Sequence, residues 1–203
     1  EVSSRLENPR DDKISEYLAA DIPEGVNRVQ LVVGIANLLL IAGIDTTWSS
    51  IGSALFHFGT HSEDRQRLSA DHDLFPTAIE EMLRFYSPVT MARVALEDVE
   101  YGDITFKEGD KVLMNFPGAN HDPEVFEDAD KILIDRQRNR HIAFGSGIHR
   151  CAGSNLARLE MDVSLRVWFE RIPDFEVADP SGVTWAGGQV RGPRMLPMRF
   201  PAE

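Results

Sequence analysis

Cysteine is almost absent from this chain of 203 residues, which contains only Cys151. A single cysteine cannot form an internal disulfide, and the N-terminal residues lack the pattern of a secretory signal peptide. Both features are typical of proteins in a reducing compartment, so we expect a cytoplasmic protein. The lone thiol must therefore be explained by packing or by chemistry rather than by cross-linking.

Basic residues are also scarce. The chain has 21 Lys and Arg against 33 Asp and Glu, a net charge of −12, which argues against nucleic acid as a general partner. The segment 136–158 is an exception, because it contains five arginines and no acidic residue. Such a segment predicts an anionic ligand or an acidic partner protein at this point, although a chance cluster on a solvated face has the same composition.

Long hydrophobic runs are missing too. The longest apolar run, residues 31–44, contains Asn37 and has acidic residues on both sides. It is shorter than the roughly 20 residues that a membrane-spanning helix needs. We therefore interpret it as a buried helix of a soluble protein and expect no membrane partner.

Hydrophobic periodicity and turn residues predict a mostly α fold with small antiparallel β-sheets. Helices are expected at 12–20, about 26–57, 62–70, about 76–87 and 155–171. The other predicted regions are a β region at 90–115, largely irregular chain at 119–153 and a β-hairpin at 180–200. No internal repeat or low-complexity linker divides the chain, so residues 1–203 are expected to belong to one domain.

Cys151 lies in a glycine-rich stretch just before the predicted helix at 155–171. The stretch has the spacing F-G-x-G-x-H-x-C-x-G, formed by Phe144, Gly145, Gly147, His149, Cys151 and Gly153. Glycine permits positive φ and lets the backbone approach a flat ligand closely. A helix N-terminus favours a thiolate. The loop could therefore present its sulfur as an anionic metal ligand.

The residues of this loop also allow other interpretations. A phosphate-binding G-x-G-x-x-G loop fails, because Arg150 stands in place of the third glycine and no G-K-[ST] follows. Zinc needs three or four ligands at short spacing, and Cys151 with His141 and His149 makes a poor set. On residue chemistry alone, a buried and inert cysteine remains open.

The loop resembles the haem-binding signature of the cytochrome P-450 family at every specified position. The resemblance implies that Cys151 is the axial thiolate of a haem b iron, a ligand that donates electron density to the metal. It also implies that Phe144 packs near the sulfur and that Gly145, Gly147 and Gly153 allow close contact with the porphyrin. His149 is expected to bind a haem propionate.

A second motif of that family, A-G-x-[DE]-T-T, occurs at residues 42–47. Small residues let a ligand lie against a helix, and a threonine inside a helix can loosen its turn. The resemblance makes this segment the oxygen-binding groove, to which Ala42 and Gly43 contribute. It implies that Thr46 steadies bound dioxygen and that Asp45 delivers protons. Taken alone, the hexapeptide could be a helix with a polar seam.

A third motif, E-x-x-R, is formed by Glu81 and Arg84. Such an (i, i+3) pair is ordinarily an exposed ion pair worth a few tenths of a kcal/mol. In the family it is buried and paired with an arginine of the meander, whose position matches Arg136. We therefore expect these three residues to be structural. Ile132 and Leu133 depart from the Phe-Asp that usually precedes this arginine, which puts only local packing in question.

The stretch S-P-V-T-M-A-R follows the predicted helix at 76–87 and resembles the family's strand beside the haem. Arg93 matches the position whose guanidinium contacts a propionate, a task suited to arginine. Val89, Thr90 and Met91 are then expected to border the substrate pocket. Ordinary strand residues are the equal alternative for these three.

The resemblance covers the whole chain but only the carboxyl-terminal half of the family's usual length. We expect a fragment of a longer enzyme that exposes an apolar surface along residues 31–44 and does not hold haem durably alone. The implied function is monooxygenation of a small organic substrate with O2, with electrons from a separate ferredoxin-type donor and its NAD(P)H-dependent reductase. The donor is expected to dock on Arg138, Arg140, Arg150 and Arg158. A peroxide-driven haem-thiolate peroxygenase and a non-catalytic haem-binding protein are the alternatives.

Overall fold

The computed structural model describes residues 1–201 and confirms a mostly α fold with small antiparallel sheets. Its α-helices are α1 (Val2–Glu7), α2 (Lys13–Ala19), α3 (Arg28–Thr60), α4 (Ser62–Ala70), α5 (Phe75–Tyr86), α6 (Phe116–Asn120) and α7 (Ser154–Arg171). Its strands are β1 (Met91–Val94), β2 (Val99–Tyr101), β3 (Ile104–Phe106), β4 (Lys111–Met114), β5 (Glu176–Val177), β6 (Thr184–Ala186), β7 (Gly192–Met195) and β8 (Met198–Arg199). The chain divides into two compact units, residues 1–45 and residues 46 onward, and α3 runs through the boundary.

Helix α1 was not predicted. Its sequence is polar, and its position depends on the buried Arg5, which forms ion pairs with Glu1 and, at 2.7 Å, with Asp12. Asp12 also caps α2 by accepting the Ser15 N–H at 2.8 Å. A cap and the ion pairs of a buried arginine therefore organise a segment whose hydrophobic pattern predicts little.

The apolar part of α3 is exposed rather than buried. Leu38 and Ile41 are 65% and 73% exposed, and Leu40 and Ile44 are exposed as well. The interpretation of residues 31–44 as a buried helix is thus wrong for this chain, whereas the expected bare apolar surface is present. The argument that this apolar run is too short to span a membrane considered only residues 31–44 and not the whole helix. The helix has 33 residues and includes a stretch of mean hydropathy 1.8, so by length and composition it could cross a membrane.

The core of the second unit lies between α3, α5 and α7. Four aromatic rings meet edge to face there, with centroids 5.4–5.6 Å apart, which is the favoured arrangement for aromatic pairs. They belong to Phe58, Phe75, Phe169 and Phe175. Buried aliphatic side chains of α5 and α7, among them Ile79, Met82, Met161 and Leu165, complete the cluster. This core fixes α5, from which the polar side chains described below extend.

The strands form four two-stranded antiparallel sheets. β1 pairs with β4, with Arg93 opposite Val112, and β2 pairs with β3. β6 pairs with β7 in the predicted terminal hairpin, while β5 pairs with β8. Helix α5 ends at Tyr86, and its C-cap residue Ser87 adopts the left-handed conformation with φ of 35° just before Pro88. This sharp end directs the chain into β1.

Candidate functional site

The cysteine loop, residues 142–153, holds Cys151 by its backbone and exposes its side chain. The Cys151 N–H donates to the Phe144 carbonyl at 2.9 Å, and the Gly145 N–H donates to the Ile142 carbonyl at 2.8 Å. Cys151 is exposed, and α7 begins at Ser154, three residues later. The buried, inert cysteine considered above is therefore not what the fold provides.

Two glycines of the loop have conformations that other residues rarely adopt. Gly145 and Gly147 have φ of 69° and 64°. A Cβ atom on Gly147 would meet nothing within 4 Å, and one on Gly145 would come no closer than 3.6 Å to a neighbour. The backbone requires glycine there for its conformation, and the loop leaves open space beside the chain.

An exposed sulfur within an open, glycine-lined turn fits a flat ligand whose metal accepts one protein ligand. Among residues 1–201, no group of three or more His, Cys, Asp or Glu side chains is arranged to hold a metal ion. The donor set thus fits a thiolate-ligated haem, whose other equatorial ligands come from the porphyrin, better than it fits zinc.

The two residues predicted to bind haem propionates lie on different elements. His149 is exposed in the short 3₁₀ turn Gly147–His149. Arg93 lies on β1, and within the described chain its guanidinium donates to the Ala92 carbonyl at 2.9 Å and forms no ion pair with an acidic side chain. An arginine without a carboxylate partner is suited to an anionic group of a ligand.

Glu81 is the centre of a buried ion network. Its carboxylate accepts two hydrogen bonds from Arg84, both at 2.8 Å, and one from Arg136 at 3.0 Å, and all three side chains are buried. The Leu133 N–H and the Asn139 side chain donate to the same carboxylate at 2.9 and 3.1 Å. Burial alone would raise the pKa of Glu81, but these donors lower it below its usual value.

The arginines of this network also bind the irregular segment 119–153. Arg84 donates to the carbonyls of Asn120, Ala129 and Lys131 at 2.7–2.9 Å. Arg136 donates to the Glu127 carbonyl at 2.7 Å. The structure therefore brings the three predicted structural residues together, and the change to Ile132 and Leu133 leaves the network complete.

A neighbouring carboxylate, Glu80, binds two residues that flank the cysteine loop, and it was not predicted. It accepts hydrogen bonds from both Nε and Nη2 of Arg158, the latter at 2.8 Å, and lies 2.9 Å from Nε2 of His141. Burial would raise the pKa of Glu80, but the bonds from Arg158 and His141 outweigh it and lower the pKa to about 2. The only signal in the sequence was a second glutamate beside the E-x-x-R motif.

Arg158 was misassigned to the docking surface. Its guanidinium is paired with Glu80 and stacks on the Phe144 ring at 4.5 Å, with only 30% of the side chain exposed. Arg138, Arg140 and Arg150 are exposed. The positive surface predicted for this segment is thus reduced to three arginines.

The residues expected to border a substrate lie beside the tip of the terminal hairpin. Val89 forms an isolated antiparallel bridge with Val190, and the Thr90 N–H donates to the Gln189 carbonyl at 3.0 Å. The Gln189 amide lies 3.6 Å from the Met91 sulfur. The hairpin tip therefore lies next to Val89, Thr90 and Met91. The sequence of the hairpin had not indicated a functional site.

The segment predicted to form the oxygen groove is regular helix. Ala42, Gly43, Asp45 and Thr46 all lie within α3. Ala42 and Gly43 are exposed, and a Cβ atom on Gly43 would meet nothing within 4 Å. The Thr46 carbonyl accepts the Ser50 hydroxyl at 2.9 Å. This side of the helix thus has small residues and open space where a ligand is expected.

Comparison with known proteins agrees with the loop chemistry. Residues 69–180 match the family model described as cytochrome P-450. The chain is 35% identical over 201 residues to the polyketide biosynthesis cytochrome P-450 PksS of Bacillus subtilis, covering 97% of this chain and 50% of PksS. It is also 35% identical to the steroid C26-monooxygenase of Mycolicibacterium smegmatis, covering 98% of this chain and 50% of that enzyme.

Solved structures give the same result. CYP109E1 from Bacillus megaterium in complex with testosterone superposes with a TM-score of 0.90 at 33% identity, covering 99% of this chain and 56% of that one. The solved structure of PksS gives a TM-score of 0.91 over 99% of this chain and 53% of its own. The chain thus spans about half the length of the relatives it matches.

The buried network yields a stability prediction. In the full-length protein, Arg84→Met should lower the free energy of unfolding by about 3–5 kcal/mol, because it leaves the buried Glu81 carboxylate undercompensated. Arg67→Met is the control, since Arg67 pairs with Asp135 at 2.6 Å but the two side chains are 43% and 50% exposed. That variant should lose less than about 1 kcal/mol. Urea denaturation measures both, and equal losses would contradict the assigned burial.

Proposed function

Because the chain belongs to the cytochrome P-450 family, we propose that it forms the haem-binding half of a bacterial haem-thiolate monooxygenase. The reaction consumes O2, two electrons and two protons. One oxygen atom enters an organic substrate and the other leaves as water. When bound, the haem supplies O2 activation and oxidation of the substrate.

The observation that carries this proposal is the cysteine loop, which exposes one sulfur beside glycines with positive φ. Cys151 ligates the haem iron as a thiolate. Phe144 accepts the Cys151 N–H through its carbonyl and so holds the residue that carries the sulfur. His149 and Arg93 bind the haem propionates, to which both can donate charge-assisted hydrogen bonds.

Asp45 and Thr46 act on the oxygen-binding face. Ala42 and Gly43 have small or no side chains, so that a ligand can approach the backbone of α3. The Thr46 hydroxyl orients and transfers a proton, and the Asp45 carboxylate resupplies it from solvent.

The substrate is an organic molecule that contacts Val89, Thr90 and Met91. Two relatives carry names that refer to polyketide biosynthesis and to a steroid, which supports an organic substrate. The nearby tip of the terminal hairpin adds Gln189 and Val190 to the same border.

Electrons come from a separate ferredoxin-type protein supplied by an NAD(P)H-dependent reductase. Arg138, Arg140 and Arg150 are exposed in a segment that has no acidic residue, so they offer an acidic donor a complementary surface. The enzyme is soluble and cytoplasmic, with the apolar face of α3 covered by the remainder of the protein rather than by lipid.

The thiolate assignment is tested in the full-length, haem-loaded protein. Cys151→Ser should abolish the strongly red-shifted Soret band of the reduced, carbon monoxide-bound form and reduce turnover to background, because a serine hydroxyl is a poor anionic ligand. Ser146→Ala, in the same loop, should change neither. A Cys151→Ser variant that keeps the band or the activity would overturn the proposal.

The proton-delivery role is tested at Thr46. Thr46→Ala should raise severalfold the share of consumed NAD(P)H that appears as hydrogen peroxide, because proton delivery is misdirected. Thr46→Ser retains the hydroxyl and should restore coupling. Equal peroxide yields for the wild type and Thr46→Ala would refute the role, and turnover with peroxide alone would favour a peroxygenase.

The docking surface is tested by charge reversal. Arg150→Glu should slow reduction by the donor at low salt and flatten its dependence on ionic strength, because steering between opposite charges is screened by salt. Arg171→Glu makes the same charge change at the exposed carboxyl end of α7 and is the control. Stopped-flow reduction measures both variants, and identical salt dependences would exclude Arg150 from the surface.

A further inference from the structure

Glu80 and Glu81 are adjacent on α5 but bind different parts of the chain. Glu81 holds Arg84, Arg136 and the segment before the cysteine loop. Glu80 holds one residue on each side of Cys151, namely His141 and Arg158. Two neighbouring carboxylates thus serve two separate tasks, and only Glu81 belongs to a recognised motif.

His141 holds Glu80 with a ring whose orientation is fixed by two hydrogen bonds. Its Nδ1 accepts the Ala143 N–H at 3.2 Å, so Nε2 carries the hydrogen that Glu80 accepts at 2.9 Å. The His141 side chain is nearly fully buried. The ring therefore ties Glu80 to the chain that leads directly into Phe144.

Arg158 contacts Phe144, the residue that is hydrogen-bonded to Cys151. Its guanidinium covers the Phe144 ring at 4.5 Å, and the Phe144 carbonyl accepts the Cys151 N–H. The hydrogen bond to Glu80 is the largest influence raising the pKa of Arg158, burial opposes it, and the charges of Glu80 and Cys151 act in the same direction as the hydrogen bond. Arg158 is thus a cation held by Glu80 against Phe144, the residue whose carbonyl accepts the Cys151 N–H.

We propose that Arg158, oriented by Glu80, is a positioning residue for the Cys151 thiolate. It clamps Phe144 and thereby the Cys151 amide, and its positive charge stabilises negative charge at the sulfur and at the metal. The inference rests on the proposed haem-thiolate function. It goes beyond that function by assigning to Arg158 the control of the iron's reduction equilibrium.

The sign of the effect follows from electrostatics. Reduction adds one electron to the site, and a nearby cation stabilises the reduced state more than the oxidised state. Removal of the Arg158 charge also leaves the Glu80 carboxylate without its arginine, so the negative charge of Glu80 is no longer balanced by that partner. Both changes favour the ferric form, so the midpoint potential should fall.

The test uses the full-length, haem-loaded protein. Arg158→Gln should shift the one-electron reduction equilibrium about tenfold toward the ferric form, about 59 mV. It should also speed hydrogen exchange of the Cys151 amide about tenfold, because the Phe144 clamp is lost. Arg158→Lys retains the charge and should keep the potential near that of the wild type while leaving the faster amide exchange.

Arg166→Gln is a matched control. Arg166 lies on the same helix, stacks on the Phe75 ring at the same 4.5 Å and forms two 2.9 Å hydrogen bonds with Asp162. Within residues 1–201 its one other hydrogen bond goes to the His72 carbonyl, not to the cysteine loop. The control should change neither the potential nor the Cys151 amide exchange. The double variant Glu80→Gln with Arg158→Gln removes both charges and should return the potential toward the wild-type value.

The outcomes separate the two proposals. A wild-type protein without the thiolate Soret band would overturn the proposed function itself. A wild type with the band and an Arg158→Gln variant that matches Arg166→Gln in potential and exchange would overturn only the role of Arg158. If Arg158→Gln does not retain haem, Arg158→Lys and the double variant Glu80→Gln with Arg158→Gln decide the question. A double variant whose potential is as low as that expected for Arg158→Gln would refute the charge effect.

Discussion

The buried carboxylate of Glu81 is the constraint on which the second unit depends. A charged group without solvent must be compensated, and Glu81 meets this need with Arg84, Arg136 and the Leu133 N–H. The arginines have donors left over, which they use on the last carbonyl of α6 and on backbone carbonyls of the segment that follows it. One carboxylate thereby determines where a long stretch with little regular structure must lie, and that stretch leads into the cysteine loop.

This arrangement replaces secondary structure with side-chain hydrogen bonds. Backbone carbonyls buried outside helices and sheets need donors, and arginine supplies several in a fixed geometry. Asn120 extends the same logic, because its side chain binds the Ser87 hydroxyl at the end of α5 and accepts the Ile142 N–H at 2.8 Å at the start of the loop. Loss of any one of these donors leaves buried acceptors unpaired, which is why substitutions in such a network are costly.

The sequence predicted those helices and loops that are marked by residues close together along the chain. Helix α4 and helix α7 begin and end within one residue of the predicted positions, because apolar periodicity and flanking turn residues mark them. The cysteine loop was predicted because its motif is contiguous. Helix α1 and the roles of Glu80 and Arg158 were missed, since each depends on partners distant along the chain or on ion pairs that no periodicity encodes. Arg158 lies in the arginine-rich segment 136–158, so the sequence predicted a docking residue. Only its stacking on Phe144 shows otherwise.

A sulfur that must contact a flat ligand has to be exposed, and an exposed loop has few neighbours to hold it in place. The cysteine loop meets both requirements because one of its sides is exposed and the other contacts the rest of the protein. On the open side stand Gly147, with no neighbour within 4 Å of a Cβ position, and the exposed Cys151. On the other side, Phe144 lies under a guanidinium that is itself held by a carboxylate of the rigid helix α5. The contacts of Phe144 with Arg158, and of Arg158 with Glu80, thus limit the movement of Cys151. The position of the sulfur is therefore fixed by contacts with the core and not by the loop itself.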